Sequence, residues 1–439
     1  MSSGSLDVYF KGKLAGELVM EENSLLFSYN KYYLKDSGRE PLSVSLPLRE
    51  EPFPQEAMLP YFLGLLPEGP ALERAAALLD KEKDDLIGLL GVLGSDCAGA
   101  VTFGSDCKLE AGDYSYEFLE DRQASELLES LENSPLRAQE GGYGPVLPGE
   151  GSKLAACLID GRLALPLGGT PSTHVIKPSH YRSRSRFDNF IDPILETHTS
   201  TVFNEFFCMT LASRCGLNVP ACYVVHFGEV PYYAVERFDR ARSGDSWQKI
   251  HQEDLCQALG VMPDKRYEAD GGPSLKDCFG LLLDIGSSAA CKIGLLDLVI
   301  YNFLIGNINC HAKKYSLIYK DKLPRLAPGY ALRCGILTHG EQEKARLAMD
   351  LGGEHELSRI DRENFEKLSE ISTFRADFAA KRVDRMCQAV WSQAKPLADE
   401  LNADPKTASP VYGKIINIIK NHIDKVFNAY ITSLDPALL

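Results

Sequence analysis

"YNFLIGNINCHAKKYSLIY", residues 301–319, sets two apolar runs on either side of a short polar turn. The turn carries Asn309, His311, Lys313 and Lys314. Packed apolar elements joined by a polar turn are how a catalytic loop looks in sequence. The stretch therefore predicts an exposed loop between two buried elements, read as strand, turn and strand. Yet the turn holds no carboxylate, the group that would accept a proton there. The rest of the chain has to explain a catalytic-looking loop that lacks its acid.

The surrounding composition is that of an ordinary globular protein. With 439 residues, 44% apolar and 25% charged, the chain has length for two or three domains, each with its own core. The opening "MSSGSLDVYFKGKLAGEL" has no cationic head followed by an apolar core, so no signal peptide is expected. No stretch reaches the roughly 20 uncharged apolar residues that span a bilayer. Even "GLLDLVIYNFLIG" is broken by Asp297, and no membrane association is expected. The 12 cysteines are scattered singly, without a C-x-x-C pair or a zinc-spaced quartet. Cys208 and Cys256 sit among apolar residues and read as small core side chains. This usage fits a reducing cytosol, so a cytoplasmic location is expected. A formal net charge of −14 argues against broad non-specific nucleic-acid binding and is compatible with a basic partner.

Along the chain the pattern changes twice. "DVYFKGKLAGELVM" predicts a hairpin around Lys11-Gly12-Lys13. "QEAMLPYFLGLLPEGPALERAAALL" has helical periodicity interrupted by prolines, and "LIGLLGVLGSDCAGAVTF" runs from helix through a Gly-rich turn into a strand. An acidic stretch, 108–140, reads as a subdomain boundary. From 141 to 240 strand signals dominate: "LAACLID", "RLALPL", "THVIKPS", "ACYVVHF" and "YYAVERF". One helix interrupts them at "TVFNEFFCMTLASRCGL", closed by Cys215-Gly216. Beyond 250 the chain is mostly helical, ending where Ile415, Ile419, Val426 and Tyr430 recur as a packing face. The expected organisation is α+β, with a mixed subdomain over 1–107, a β-rich lobe over 108–240 and an α-helical lobe over 241–439. Such an order suits a nucleotide cleft at the junction of the lobes.

Several pieces carry candidate chemistry. In "GGYGPVLPGEGSKLAACLIDG", Gly149 and Gly151 would let backbone N–H groups approach phosphate, with Lys153 close behind. Taken alone, the same stretch is equally a turn between strands. Lys177, ending the strand of "PSTHVIKPS", is placed to meet α/β-phosphates as a point charge, or is a surface lysine. In "YYAVERFDR", Glu236 and Phe238 lie where a two-lobed kinase presents its hinge to adenine. The alternative for Glu236–Arg240 is a salt-bridged turn ending an edge strand. Arg182, Arg184 and Arg186 in "SHYRSRSRF" make either a phosphate- or nucleic-acid-binding loop or a solvated one.

Together with "LSVSLPL", "LLPEG", "GSDCAGA", "LPLGGTPSTHVIKPS", "GLNVP", "AVERFDR", "HQEDLCQALG" and "RLAPGYALRC", these pieces resemble the HipA family of bacterial serine/threonine kinases over nearly the whole chain. HipA is the toxin half of the HipBA type of toxin–antitoxin pair. The resemblance implies a two-lobed protein-kinase-like fold with an added N-terminal subdomain. It also implies ATP and magnesium as cofactors, and as partner a HipB-like helix-turn-helix antitoxin through which DNA is reached.

The departures from the family's pattern lie at the chemistry. The family's loop reads approximately N-x-D-x-H-x-K-N; here "NINCHAKK" keeps His311 and Lys313 but has Asn309 at the position of the base and Lys314 at that of a metal-holding Asn. The segment like "LAPxYD" reads "LAPGYA", with Ala331 at the position of the magnesium-binding Asp. The serine that members autophosphorylate falls on Val146. An amide has no basic lone pair for the substrate proton, and loss of such a base costs about 10²–10⁴ in rate. Magnesium wants anionic oxygens, which Ala331 and Lys314 do not offer. The expectation is a pseudokinase that works through contacts with its antitoxin and operator, with weak, magnesium-free ATP binding by Lys153, Lys177 and Lys314. The alternative is a working kinase toxin that phosphorylates a translation component such as an aminoacyl-tRNA synthetase, its metal held by Asp239 or Glu150.

Overall fold

The structure, a computed structural model, describes residues 4–22, 24–104, 114–131, 138–139, 142–143, 147–149, 151–178, 200–244, 246–320, 323–338 and 344–427. By compactness the chain divides into two units that interleave in sequence. The first comprises Met1–Ser183, Val225–Arg266 and Ser316–Ala327; the second comprises Arg184–Val224, Tyr267–Tyr315 and Pro328–Leu439. Compactness thus cuts the chain differently from three contiguous segments. The reason is a long-range pairing: strand His251–Asp254 is joined antiparallel to Ser316–Tyr319.

The first unit begins with the expected hairpin. Strands Ser5–Phe10 and Lys13–Glu21 pair antiparallel across Lys11-Gly12, both in the left-handed region with φ of 50° and 75°. Two positive φ values in a two-residue turn match the right-handed twist of the strands. Ser24–Tyr29 extends one side of this sheet and Val101–Phe103 the other. Leu6, Val8 and Phe10 alternate inward along the first strand. The sheet packs with helices Gln55–Leu63, Pro70–Leu78 and Leu86–Leu93, the prolines falling inside the first and at the start of the second. Their common core is built entirely from residues between Leu6 and Phe103.

A six-stranded sheet follows, in the order Cys222–Phe227, Val230–Glu236, His174–Lys177, Leu154–Ile159, Arg162–Leu167, Ser115–Phe118. The acidic stretch expected as a boundary supplies its last strand, Ser115–Phe118. It also supplies helix Asp121–Ser130, which buries Ala124 and Leu128 in that sheet's core. Acidic residues on the solvent face hid a two-residue apolar stripe.

The second unit is helical, with Ser200–Arg214, Leu275–Asp284, Ala289–Leu304, Arg362–Ser372, Ala376–Ala403 and Val411–Val426. Gly216 (φ 80°) ends the first of these, its N–H bonding to Ser213 O while Leu217 N–H bonds to Ala212 O, each at 3.0 Å. That is the paired closure glycine permits after a last turn. Ile415, Ile419 and Val426 are buried along the last helix as expected, while Tyr430 lies outside the described residues. Among the described residues, no helix is long and apolar enough to cross a membrane.

One expectation is corrected. Tyr301–Leu304 is not a strand but the last turn of helix Ala289–Leu304, so the loop is entered from a helix and left by strand Ser316–Tyr319. Every residue from Leu295 to Leu304 is buried. A helix covered on all sides shows no 3.6-residue period, and a short apolar run then reads as either element.

Candidate functional site

The candidate residues fall into two groups, one in each unit. In the first unit, Gly149 (φ 100°) and Gly151 (φ 87°) hold a left-handed turn that L side chains rarely adopt. A Cβ on Gly149 would stand 3.1 Å from Lys153 Nζ, so the lysine folds its ammonium back over the turn. The turn is gripped from the N-terminal subdomain: Pro67 bridges Gly149, and Glu68 N–H donates to Gly149 O at 3.4 Å. Glu68 is buried and accepts from Arg266 Nη1 at 2.6 Å. Thus "LLPEG", whose role was not legible in sequence, supports the glycine turn. Val146, Glu150 and the arginine-rich loop 179–187 lie outside the described residues.

Lys177 ends strand His174–Lys177, opposite Tyr233 on Val230–Glu236, and its Nζ lies 5.4 Å from the centre of the Tyr233 ring. Glu236, exposed, stands opposite His174, and Phe238 is half-buried. These strands are central in the sheet rather than at its edge.

Asp239 has a different setting from the one a metal ligand needs. Its Oδ1 accepts from Arg237 Nε at 3.0 Å, and its Oδ2 from Arg237 Nη2 at 2.8 Å and Gly99 N–H at 2.7 Å. Arg240 completes an ion cluster with Asp96, at 2.6 Å, and Lys249 Nζ lies 3.2 Å from the same Asp96 oxygen. Burial alone would raise the Asp239 carboxyl, but Arg237 and Arg240 outweigh it and bring it down to about 2. Arg237, Arg240 and Lys249 against Asp96 and Asp239 leave the cluster with an excess positive charge, which repels a further cation. The salt-bridged turn is the reading the geometry supports for Arg237–Arg240, and it ties the "GSDCAGA" turn to the strand end.

The second group is the loop after helix Ala289–Leu304. Gly306 (φ 69°) closes that helix: its N–H bonds to Phe303 O, and Asn307 N–H bonds to Asn302 O at 2.8 Å. Asn307 Nδ2 then donates to Asn302 Oδ1, and Asn302 Nδ2 to Tyr315 Oη at 3.1 Å. This buried ladder spans the loop from entry to exit. Between its ends, Asn309, His311 and Lys313 are themselves buried, at 8%, 5% and 8% exposure, so the loop is not the exposed one expected. Buried polar side chains need hydrogen-bond partners, and the one that holds Asn309 lies outside the loop.

Tyr267 is the partner that sequence reading missed. Its hydroxyl donates to Asn309 Oδ1 at 2.7 Å, and its ring meets His311 edge-on, centroids 5.1 Å apart. No motif marks it; "RYEAD" reads as a loop. Tyr330 Oη donates to Lys313 O at 2.8 Å, which brings the neighbouring Ala331 to the same loop. Ala331 has φ 54°, a conformation that Asp and Asn tolerate better than Ala. Positions 309, 314 and 331 therefore offer an amide, an ammonium and a methyl. That donor set does not suit magnesium, which takes hard anionic oxygens.

Residues 147–395 match the HipA-like C-terminal domain, and residues 6–104 the HipA N-terminal domain. A putative kinase, Y4mE, of Sinorhizobium fredii is 35% identical over 82% of this chain and 84% of its own length. The serine/threonine-protein kinase toxin HipA of Shewanella oneidensis is 26% identical over 79% of this chain and 78% of its own. A solved complex of Shewanella oneidensis HipA with HipB and its operator DNA contains a chain that superposes with a TM-score of 0.78 at 22% identity. The superposition covers 96% of this chain and 97% of that one.

Proposed function

This chain belongs to the HipA family, and we propose that within it the protein is a pseudokinase that acts through binding rather than phosphoryl transfer. The observation that carries the reading is the amide of Asn309 at the base position, held by Tyr267 in a loop without a carboxylate. Phosphoryl transfer depends on positioning and on metal neutralisation of phosphate charge. With Lys314 and Ala331 at the other two positions, base and metal ligands are absent together, and magnesium is not held. The glycine turn and Lys153 and Lys177 are retained, which supports weak ATP binding without a divalent ion.

The partner follows from the relatives. The Shewanella protein is seen with HipB and operator DNA, and likeness over 96% of this chain supports a HipB-like antitoxin here. The acidic net charge of −14 suits an operator reached through that partner rather than directly. Incubation with labelled ATP, magnesium and a cognate lysate tests the reading. No labelled protein is expected. Labelling that disappears in a Lys177→Ala variant would establish an active kinase toxin instead. Restoring Asn309→Asp, Lys314→Asn and Ala331→Asp together is expected to create transfer and arrest growth.

A further inference from the structure

Asn309 differs from an aspartate in one decisive atom: in place of a second oxygen it has Nδ2, which carries two N–H donors. Which end of the amide stays available is decided by Tyr267. The tyrosine is buried, and its carbonyl accepts N–H groups from Asp270 and Gly272, each at 3.0 Å. The next residue, Glu268, donates its N–H to Ala348 O, and Ala348 in turn donates to Ile308 O at 3.0 Å. Tyr267 and the loop are thus fixed to the same strip of backbone, so their mutual geometry is built in. With Oδ1 taken by the tyrosine hydroxyl, Nδ2 has no hydrogen-bond partner among the described residues and is not sealed from solvent.

We propose that the unpaired Asn309 Nδ2, oriented by Tyr267 and joined by the charge of Lys314, makes the loop a donor site for phosphoryl oxygens of a polyphosphate without any divalent ion. This rests on the reading that nucleotide binding outlives phosphoryl transfer. An active kinase presents a carboxylate base here, which repels phosphate, and leaves the phosphate charge to metal held by other residues. An amide N–H and an ammonium meet phosphate oxygens directly, the latter as a charge-assisted bond. The change at 309 therefore reverses the polarity of the loop rather than only removing a base. Tyr267 is a positioning residue: without its hydroxyl the amide has no fixed sense and offers oxygen as readily as N–H.

Calorimetric titration of the full chain with ATP, and separately with tripolyphosphate, in EDTA and in excess magnesium tests this. Wild type is expected to bind ATP at least as tightly in EDTA as with magnesium. Tyr267→Phe keeps the ring on His311 and should weaken metal-free binding about 3–10-fold, the worth of one hydrogen bond. Asn309→Asp should weaken it at least about tenfold and invert the preference toward magnesium. Tripolyphosphate following the same order assigns the site to the phosphate chain alone; ATP alone following it assigns the site to a nucleotide. Magnesium-dependent ATP binding by wild type overturns the proposal and leaves nucleotide binding standing, as does unchanged metal-free binding by both variants. No heat from ATP in either condition overturns both. Should Asn309→Asp fail to fold, the Tyr267→Phe arm decides alone.

Discussion

Asp239 and Glu253 are buried carboxylates with opposite electrostatics, and each yields a test. Asp239 is held charged by Arg237 and Arg240. Removing one partner of a buried ion pair leaves the other uncompensated, at a cost of about 3–5 kcal/mol. Asp239→Asn should therefore lower the chemical-denaturation midpoint strongly, and equally in EDTA and in magnesium. A loss seen only with magnesium present would make Asp239 a metal ligand after all. Glu253 faces Ser43 Oγ at 2.5 Å, Val44 N–H at 3.1 Å and the Tyr319 hydroxyl, with Asp254, Tyr29 and Tyr61 nearby. Burial raises its carboxyl to about 7, against the lowering effect of Ser43 and Tyr319. The folded value lies above the unfolded 4.5, so the retained proton stabilises the fold below that pH. The stabilisation is lost as pH rises through 7. Between pH 4.5 and 8, wild type should lose roughly 3 kcal/mol relative to Glu253→Gln. Parallel denaturation curves for the two proteins across that range would refute the assignment.

Helix Ala289–Leu304 is the element that places the loop, and its closure at Gly306 is where it is most exposed to test. An alanine Cβ there would come 2.7 Å from Ile336 Cγ2 and 3.2 Å from Ile418 Cγ2, on a backbone already at φ 69°. Left-handed strain of about 1–2 kcal/mol adds to overpacking of about 1–3 kcal/mol. Gly306→Ala is expected to lower the melting temperature and to loosen the ladder Asn307–Asn302–Tyr315. Faster hydrogen exchange at the Asn307 and Ile308 amides would report that loosening. Unchanged melting and exchange would show that the closure does not position the loop. The hairpin, the proline-punctuated helices and five strands of the six-stranded sheet were legible because period-2 alternation and turn glycines are local, while Ser115–Phe118 was hidden in an acidic stretch. The helix into the loop was not, because burial on every side erases the period. Tyr267 was not, because its meaning lies 42 residues away, at Asn309.

For the assembled protein the test concerns DNA. The chain alone, with a net charge of −14, should not retard operator DNA at physiological salt, and should do so only together with its antitoxin. Retardation by the chain alone in a mobility-shift assay would place the DNA contact on this protein instead. Local chemistry written residue by residue was open to reading from the amino-acid order: the family, the α+β class, the glycine turn, and the amide, ammonium and methyl at 309, 314 and 331. Those properties need no partner to be recognised. Folding alone decided which carboxylates are spent on arginines, which helix enters the loop, and that a distant tyrosine turns the Asn309 amide. The Asp96–Arg240 pair and the Tyr267–Asn309 bond join segments far apart in the chain, which no local pattern encodes, and burial on every side erases the period of the helix.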